Sequence, residues 1–176
     1  LVTSQIGVSP WTALAQGLSN VTGLGLGLIT FFISIFVLFL WIPLKQKPGI
    51  GTILNAIIIS LVLHYAIPVL PVFEENILRL GQAILGVFIT GLGGGIYLIA
   101  NLGPGPRDGL MTGLQRVTNF PIAWVRSSIE ITVLTIGWSL GGVIGLGTIL
   151  FAIGIGPCLA LSLTIFGSFK SCSNLQ

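Results

Sequence analysis

Apolar stretches long enough to cross a lipid bilayer fill most of this 176-residue chain, and they limit its fold more than any other feature does. A bilayer-spanning helix needs about 20 apolar residues. Charged residues make up only 6% of the chain, against about 25% in a soluble domain, and the mean hydropathy is +1.06. A backbone inside a bilayer must satisfy its own hydrogen bonds, and these stretches lack the alternating pattern of barrel strands. The sequence therefore predicts an all-α membrane protein, and the lipid bilayer is its predicted partner.

Five segments have the length and composition of membrane spans. The fourth is the least apolar, because it contains Arg126 and Glu130. Two shorter segments are amphipathic, and each places a proline one step inside a Ser or Gly N-cap, which is the usual start of a helix. The predicted spans cover residues 21–44, 50–70, 77–100, 122–140 and 145–169, and the predicted short helices cover residues 9–23 and 105–119.

The chain repeats itself without a gap at an offset of 96 residues. The Gly-x-x-Pro sequence at residues 7–10, here called motif 1, aligns with the Gly-x-x-Pro sequence at residues 103–106, called motif 2. Further along, "GIGTILNAI" (49–57) aligns with "GLGTILFAI" (145–153). Of the 53 aligned pairs, 20 are identical, which shared apolar composition alone does not explain. We predict two structural repeats, residues 1–71 and 72–176, within one membrane domain.

Charge on the loops predicts that the two repeats are inverted. Lys45 and Lys47 follow the first span, whereas the equivalent loop, residues 141–145, has no charge. The short helix at 105–119 carries arginines, and its equivalent carries none. Lys and Arg prefer the cytoplasmic side of a membrane. Equivalent segments are therefore expected on opposite sides of the membrane, as in many transporters.

Following the chain from Lys45 gives a complete topology. With Lys45 inside, Glu74 and Glu75 lie outside, and every basic residue except Arg79 lies at the cytoplasmic side, including Lys170 near the C-terminus. This topology predicts a multi-pass protein of the bacterial inner (plasma) membrane with a cytoplasmic C-terminus.

The first repeat lacks a counterpart of the 77–100 span. Inverted repeats require an odd number of spans in each half, but motif 1 begins after only six residues. We therefore expect that a first helix is missing from this sequence, and that the natural protein has three plus three spans with both ends in the cytoplasm.

Paired short segments interrupted by Gly and Pro in an inverted repeat point to a transporter binding site. The sequence therefore favours a carrier for a small solute, with its site at the repeat interface. The short helices are equally suited to lie flat at the membrane surface. The alternative function is a non-catalytic accessory or scaffolding subunit of a larger energy-transducing or photosynthetic complex. Small residues spaced by four offer faces for a homodimer or for partner subunits; they are Gly23/Gly27, Gly91/Gly95 and Gly137/Gly141/Gly145.

Four charged residues are the candidates for substrate binding or coupling. Glu130 is an acid at membrane depth, which is costly unless it is paired or hydrated, and Arg126 lies one turn earlier on the same face. The pair has either a coupling role or a structural one. Arg107 and Asp108 open the second short helix. Asp108 complements the helix dipole there, and Arg107 is suited to bind a lipid phosphate or an anionic substrate.

No enzyme, metal or nucleic-acid function is expected from the sequence. No nucleophile–base arrangement, metal-ligand spacing or basic run with interleaved aromatics is present. His64 is a weak candidate for cofactor binding, although a lone histidine in a span is more often a hydrogen-bonded core residue. Cys158 and Cys172 do not have the spacing of a redox pair. We therefore expect no cofactor.

The segments "GPGPRDGLMTGL", "GWSLGGVIGLGT" and "IGP" (155–157), together with Arg126 and Glu130, resemble the YczE family of bacterial membrane proteins, which is related to YitT-type proteins. The segment "GVSPWTALAQGLS" resembles the same family's first-half motif. The resemblance implies a bacterial inner-membrane protein of a largely uncharacterised family whose members are longer than this chain. This chain has Trp11-Thr12 where many members have a charge.

Overall fold

The computed structural model describes residues 1–100 and 102–173, with side chains through residue 166. These residues form seven helices in the order that the sequence predicts. Each predicted span corresponds to one long helix, although α7 continues past the predicted end at residue 169, and each predicted short helix is present to within about a residue at each end. The predictions for Lys170 and Cys172 concern side chains outside those described. The helices are α1 (Pro10–Thr22), α2 (Leu26–Trp41), α3 (Ile50–Ala66), α4 (Asn76–Ala100), α5 (Pro106–Thr118), α6 (Ile122–Ser139) and α7 (Leu146–Ser173).

By length and composition, two of these helices can cross a membrane, α4 and the Leu146–Phe166 part of α7. Helices α1 and α2 together pass the same test but are bent by 115°, as in a broken span or a re-entrant segment. Helix α3 is apolar but has only 17 residues. The all-α architecture is therefore confirmed for the described residues, which include two or three candidate membrane spans, while the count of five spans and the inverted repeat stay predictions.

The helices group into two compact units that do not follow the predicted repeat boundary. Unit 1 contains Leu1–Ser9, Pro71–Asn101 and Ile144–Gln176, and unit 2 contains Pro10–Leu70 and Leu102–Val143. Each unit therefore combines segments from both sequence repeats.

In unit 1, α4 and α7 run parallel and pack through small residues. A side chain added at Gly91 would collide with Cys158, and one added at Gly95 would collide with Ser162. The Ser162 hydroxyl donates a hydrogen bond of 2.8 Å to the carbonyl of Leu92 on α4. The absence of side chains at these glycines lets the two backbones approach closely, as in other small-residue helix contacts within membranes.

Gly7, the first residue of motif 1, lies against the start of α7 in the same unit. Gly7 has φ +127°, which few residues other than glycine adopt, and the preceding carbonyl of Ile6 accepts a 2.9 Å hydrogen bond from the amide of Gly147. The amides at a helix start have no partner inside the helix. The motif therefore supplies an acceptor for one of them.

Unit 2 contains the main hydrophobic core, formed by α1, α2, α5 and α6. Helix α1 crosses α6 at close range, because Gly17 lies against the carbonyl of Gly137, and Gly137 lies against the backbone of Leu14. The buried core residues are Trp11, Ala15, Ile29, Ile33, Val37, Trp41, Leu110 and Val133.

Motif 2 lies against the start of α3 in unit 2. The carbonyl of Leu102, just before the motif, accepts a 2.9 Å hydrogen bond from the amide of Gly51. The hydroxyl of Thr52 donates to the carbonyl of Pro104 at 2.7 Å and accepts from the amide of Gly49 at 3.1 Å. At the end of α2, the indole Nε1 of Trp41 donates to the carbonyl of Pro106 at 2.9 Å. Motif 2 therefore connects α5 to both α2 and α3.

Candidate solute site

The two short helices α1 and α5 meet near their first turns. The guanidinium carbon of Arg107 lies 5.2 Å from the ring centroid of Trp11, which is the geometry of a cation–π contact. Trp11 and Arg107 occupy equivalent positions in the two sequence repeats. Trp11 is buried, with 6% of its surface exposed, so its ring forms a fixed platform for the charge.

The surrounding protein shifts the pKa values of the two charged residues at the start of α5, Arg107 and Asp108. Burial lowers the pKa of Arg107 to about 10, so its guanidinium remains protonated at neutral pH. Burial also raises the pKa of the Asp108 carboxyl, and the positive charges of Arg126 and Arg107 oppose that shift. Asp108 lies in the first turn of α5, where its negative charge stabilises the helix dipole. Its side chain still reaches the surface of the unit.

Arg126 and Glu130 form an ion pair along α6. The Nε atom of Arg126 donates to Oε1 of Glu130 at 2.9 Å, one turn apart on the helix. The two side chains are 47% and 24% exposed, so the pair lies at the surface of the unit and not in its core. Both residues, together with Arg107, act electrostatically on Asp108. The structure therefore places the four charged candidates in one neighbourhood of unit 2.

A cavity of about 640 Å³ lies beside this neighbourhood. Its wall is apolar except for Ser128 and Thr132, and the hydroxyl of Thr132 is already bonded to the carbonyl of Ser128. The wall includes Phe32 and Phe36, which are also largely exposed, so the cavity opens along α2. The lining residues are Trp11, Leu14, Leu18, Ile29, Phe32, Ile33, Phe36, Val37, Leu40, Leu110, Ser128, Ile129, Thr132, Val133 and Ile136.

Trp11 connects the cavity to the charged neighbourhood, because its ring both lines the cavity and contacts Arg107. Arg126 and Glu130 are not part of the cavity wall, although Ser128 and Ile129 between them are. The sequence pointed to the charged residues and not to the cavity. The sequence feature that could have indicated the cavity is the apolar stripe of α1, which includes Leu14 and Leu18. Such a stripe is equally typical of ordinary core packing.

His64 lies on α3, and its ring contacts the neighbouring ring of Tyr65 edge-on, with 5.0 Å between centroids. Helix α2 begins beside it, where Gly27 lies against the backbone of His64 and of Ser60. Within the described part of the chain, no three His, Cys, Asp or Glu residues are grouped as metal ligands would be.

Comparison with known proteins assigns the chain to a family. Residues 1–164 match the model of a family of unknown function, DUF6198. The chain belongs to this family. It is 36% identical over 162 residues to the uncharacterized membrane protein YczE of Bacillus subtilis, covering 90% of this chain and 74% of that protein. The YczE resemblance is therefore confirmed.

A second relative is an uncharacterized protein of Haemophilus influenzae. It is 42% identical over 165 residues, which are 94% of this chain and 76% of that protein. No solved structure matches the chain significantly.

Proposed function

We propose that this YczE-like membrane protein is a carrier for a small, mostly apolar solute with one anionic group, bound in the cavity of unit 2. The observation that carries the proposal is the cavity itself, whose volume of about 640 Å³ lies within the range of about 300–1,000 Å³ typical of ligand pockets. Its apolar wall suits a hydrocarbon body. Arg107 is not among the lining residues, but its guanidinium carbon lies 5.2 Å from the ring centroid of Trp11, which is one of them, so it supplies a positive charge near the cavity.

The contacts within unit 2 support an inverted repeat as the framework of this carrier. Helices α1 and α5 are repeat equivalents, and so are α2 and α6. Helix α1 packs on α6 and α5 packs on α2, so each short helix contacts the other repeat's long helix. This exchange of helix partners is expected if a two-fold axis relates the two repeats. Trp11 and Arg107 are equivalents in mutual contact, as a two-fold axis passing between them would produce.

The proposed carrier lies in the bacterial plasma membrane, with the Lys45 loop and the C-terminus in the cytoplasm. Single cysteines introduced for Lys45, Glu75 and Val143 test this topology with a membrane-impermeant thiol reagent. The Lys45→Cys site is expected to be protected in intact cells, and the Glu75→Cys and Val143→Cys sites are expected to be labelled. Labelling of positions 45 and 143 on the same side would contradict the inverted arrangement.

Binding of octanoate and of 1-octanol to the purified chain in detergent tests the site. Octanoate is expected to raise the melting temperature more than octanol does, because only octanoate carries a charge for Arg107. Ile129→Trp, which fills the cavity, is expected to abolish both shifts. Its matched control is Ile131→Trp on the same helix, since Ile131 is 65% exposed and outside the cavity wall. Equal effects of the two variants, or no shift with either probe, would contradict the site.

Transport itself is tested with proteoliposomes. We expect uptake of labelled octanoate that Arg107→Gln reduces at least tenfold, while the octanol shift in detergent is retained. Binding without uptake would favour a non-transporting role for the cavity.

One observation favours the alternative of an accessory or scaffolding subunit. Glu130 is paired with Arg126 outside the cavity wall, which is the arrangement of a structural ion pair and not of a coupling acid. Purification in mild detergent tests this alternative. A scaffold is expected to retain stoichiometric partner subunits, whereas a carrier is expected to purify alone or as a homodimer.

A further inference from the structure

Helix α5 carries a stripe of polar side chains along one face. The stripe consists of Thr112, Gln115, Arg116 and Asn119, which recur at the i, i+3, i+4, i+7 spacing of one helix face. These residues and Phe120 line a cavity of about 520 Å³ at the end of the helix. Arg116 is the one charged residue in this wall, and its side chain is exposed. Among the described residues it forms no ion pair, so its guanidinium can bind an external anion.

The same end of α5 has carbonyl groups that lack a donor from the protein. The last carbonyls of an α-helix have no partner within the helix. The amide of Phe120, which would bond to the carbonyl of Arg116 if the helix continued, bonds to the hydroxyl oxygen of Thr118 at 3.5 Å instead. Pro121 has no amide hydrogen to offer the carbonyl of Val117. Within the described part of the chain, both carbonyls are therefore left to accept a hydrogen bond from a ligand or from water.

A second cavity, of about 550 Å³, borders the polar one at Phe120, which lines both. It lies between the end of α5 and the start of α6, and its side chains are apolar except for those of Thr118 and Ser128. Phe120 and Trp124 are 64% and 72% exposed, so two large aromatic side chains lie at the surface of the unit. Aromatic side chains are enriched in membrane proteins at the level of the lipid headgroups. The two cavities therefore combine polar and apolar contacts, as the boundary between headgroups and acyl chains does.

We propose that these two cavities form a binding site for one phospholipid with an ethanolamine headgroup. The guanidinium of Arg116 binds the phosphate through charge-assisted hydrogen bonds. The ammonium group donates to the carbonyls of Arg116 and Val117, where the negative end of the helix dipole also favours a cation. One acyl chain lies in the apolar cavity against Phe120 and Trp124. This lipid site is separate from Arg107 and does not depend on a carrier function.

The chemistry of the site selects ethanolamine among common headgroups. A choline headgroup has the same charges but no N–H group to donate to the carbonyls. A glycerol headgroup lacks the positive charge that the helix end attracts. Free phosphate would contact only the polar cavity and leave the apolar cavity without an occupant.

Native mass spectrometry of the purified chain in mild detergent tests the headgroup. Dioleoyl lipids with ethanolamine, choline or glycerol headgroups are added in equal amounts. We expect one ethanolamine lipid to be retained per chain. Arg116→Gln is expected to reduce its retention about tenfold, as the loss of a hydrogen bond to a charged group predicts. The matched control is Lys47→Gln, because Lys47 is also exposed but lines neither cavity.

Lipid retention is the readout because Arg116 also lies in the last turn of α5, where its charge stabilises the helix dipole. A change in melting temperature alone would not separate the two roles. Equal retention of the three headgroups, preference for the glycerol lipid, or equal effects of Arg116→Gln and Lys47→Gln would overturn the proposal.

The apolar cavity is tested with Trp124→Ala in the same experiment. This variant is expected to reduce retention of the ethanolamine lipid severalfold, because the acyl chain loses a large apolar contact. The matched control is Trp138→Ala, since Trp138 is on the same helix, is 66% exposed and lines neither cavity. Glycerophosphoethanolamine, which has the headgroup without acyl chains, is expected not to displace the lipid at equal concentration. Displacement by it, or equal effects of the two tryptophan variants, would overturn the proposal.

Discussion

The residues just before the two Gly-x-x-Pro motifs make the same backbone contact in different surroundings. In unit 1, the carbonyl of Ile6 accepts from the amide of Gly147, and in unit 2 the carbonyl of Leu102 accepts from the amide of Gly51. Both hydrogen bonds are 2.9 Å long, and all four residues are related by the repeat offset. In both places a loop is therefore attached to the start of a helix, which is a structural role.

The differences between the motifs concern side chains. Motif 2 has the Thr52 bond to Pro104, the Trp41 bond to Pro106, and the charges of Arg107 and Asp108. Motif 1 is followed by Trp11 and Thr12, and the position equivalent to Trp41 is a glycine. Both motifs begin with a glycine at positive φ, whereas charged side chains follow only motif 2.

Substitution of the motif glycines is expected to have the largest effect on stability. Gly7→Ala and Gly103→Ala each add a Cβ at a positive φ and within about 3 Å of another backbone. Strain and overpacking together predict a loss of about 2–6 kcal/mol in the free energy of unfolding. Gly7→Ala is expected to be the more damaging, because its Cβ would lie 2.8 Å from two backbone nitrogens. Thermal unfolding in mild detergent measures both.

Gly23→Ala is the control for the strain alone. Gly23 has φ +72°, and no described atom lies within 4 Å of its added Cβ. Its expected cost is about 1–2 kcal/mol. A Gly7→Ala variant as stable as Gly23→Ala would show that the motif does not pack tightly against α7.

The second comparison concerns Trp41 and its repeat equivalent, Gly137. Trp41 packs on Gly109, and Gly137 packs on the backbone of Ala13 and Leu14. Gly109→Ala and Gly137→Ala are each expected to cost about 1–3 kcal/mol through overpacking. Adding Trp41→Phe should rescue part of the Gly109→Ala loss, because the collision there is with a side chain. No side-chain change should rescue Gly137→Ala. Equal rescue of both would contradict this difference.

The sequence predicted the helices well, because helix starts, apolar runs and glycine spacing are local signals. The proline one step inside a Gly N-cap predicted where the second short helix begins, and α5 does begin at Pro106. Which helices pack together could not be predicted. The exchange of partners between repeats depends on long-range contacts such as Gly17 with Gly137, for which a single sequence carries no local signal.

The candidate site was predicted only in part for the same reason. The four charged residues stood out because charge is rare in this chain, and they do lie in one neighbourhood. The cavity is formed by apolar residues that are indistinguishable from core residues in the sequence. Contact between Trp11 and Arg107 depends on how α1 and α5 meet, which their separate sequences do not encode locally.

The third prediction compares the two helix-start threonines. Thr52 donates to Pro104 and accepts from Gly49, whereas the hydroxyl of Thr148 accepts from Gly145 at a longer distance of 3.4 Å. Thr52→Val is expected to cost about 1–3 kcal/mol, because it leaves buried polar groups without their partner. Thr148→Val is expected to cost less than Thr52→Val. Chemical unfolding of the two variants side by side checks the order, and the reverse order would show that motif 1 is the more firmly attached.

The last and smallest effect concerns the ion pair of α6 and its equivalent in α2. Arg126 and Glu130 correspond to Thr30 and Ser34. The two hydroxyls are buried and bond to carbonyls of their own helix, at 2.8 Å from Thr30 to Leu26 and 2.9 Å from Ser34 to Thr30. In α2, the two polar side chains thus form hydrogen bonds with the backbone of their own helix. In α6, the two polar side chains form an ion pair with each other.

Because the α6 pair is partly exposed, Glu130→Gln is expected to cost about 1 kcal/mol or less. The double variant Arg126→Thr with Glu130→Ser copies the α2 solution, so its stability is expected to stay within about 0.5 kcal/mol of the unmodified chain. Thermal unfolding and octanoate uptake are then measured on the same preparations. If the pair is structural, uptake is retained in the double variant. Loss of uptake at unchanged melting temperature would instead make Glu130 a coupling acid, and the asymmetry between α2 and α6 would become part of the transport mechanism. A loss of several kcal/mol in Glu130→Gln alone would mean that the pair is shielded from water in the membrane, where breaking it from one side leaves Arg126 without a counter-charge.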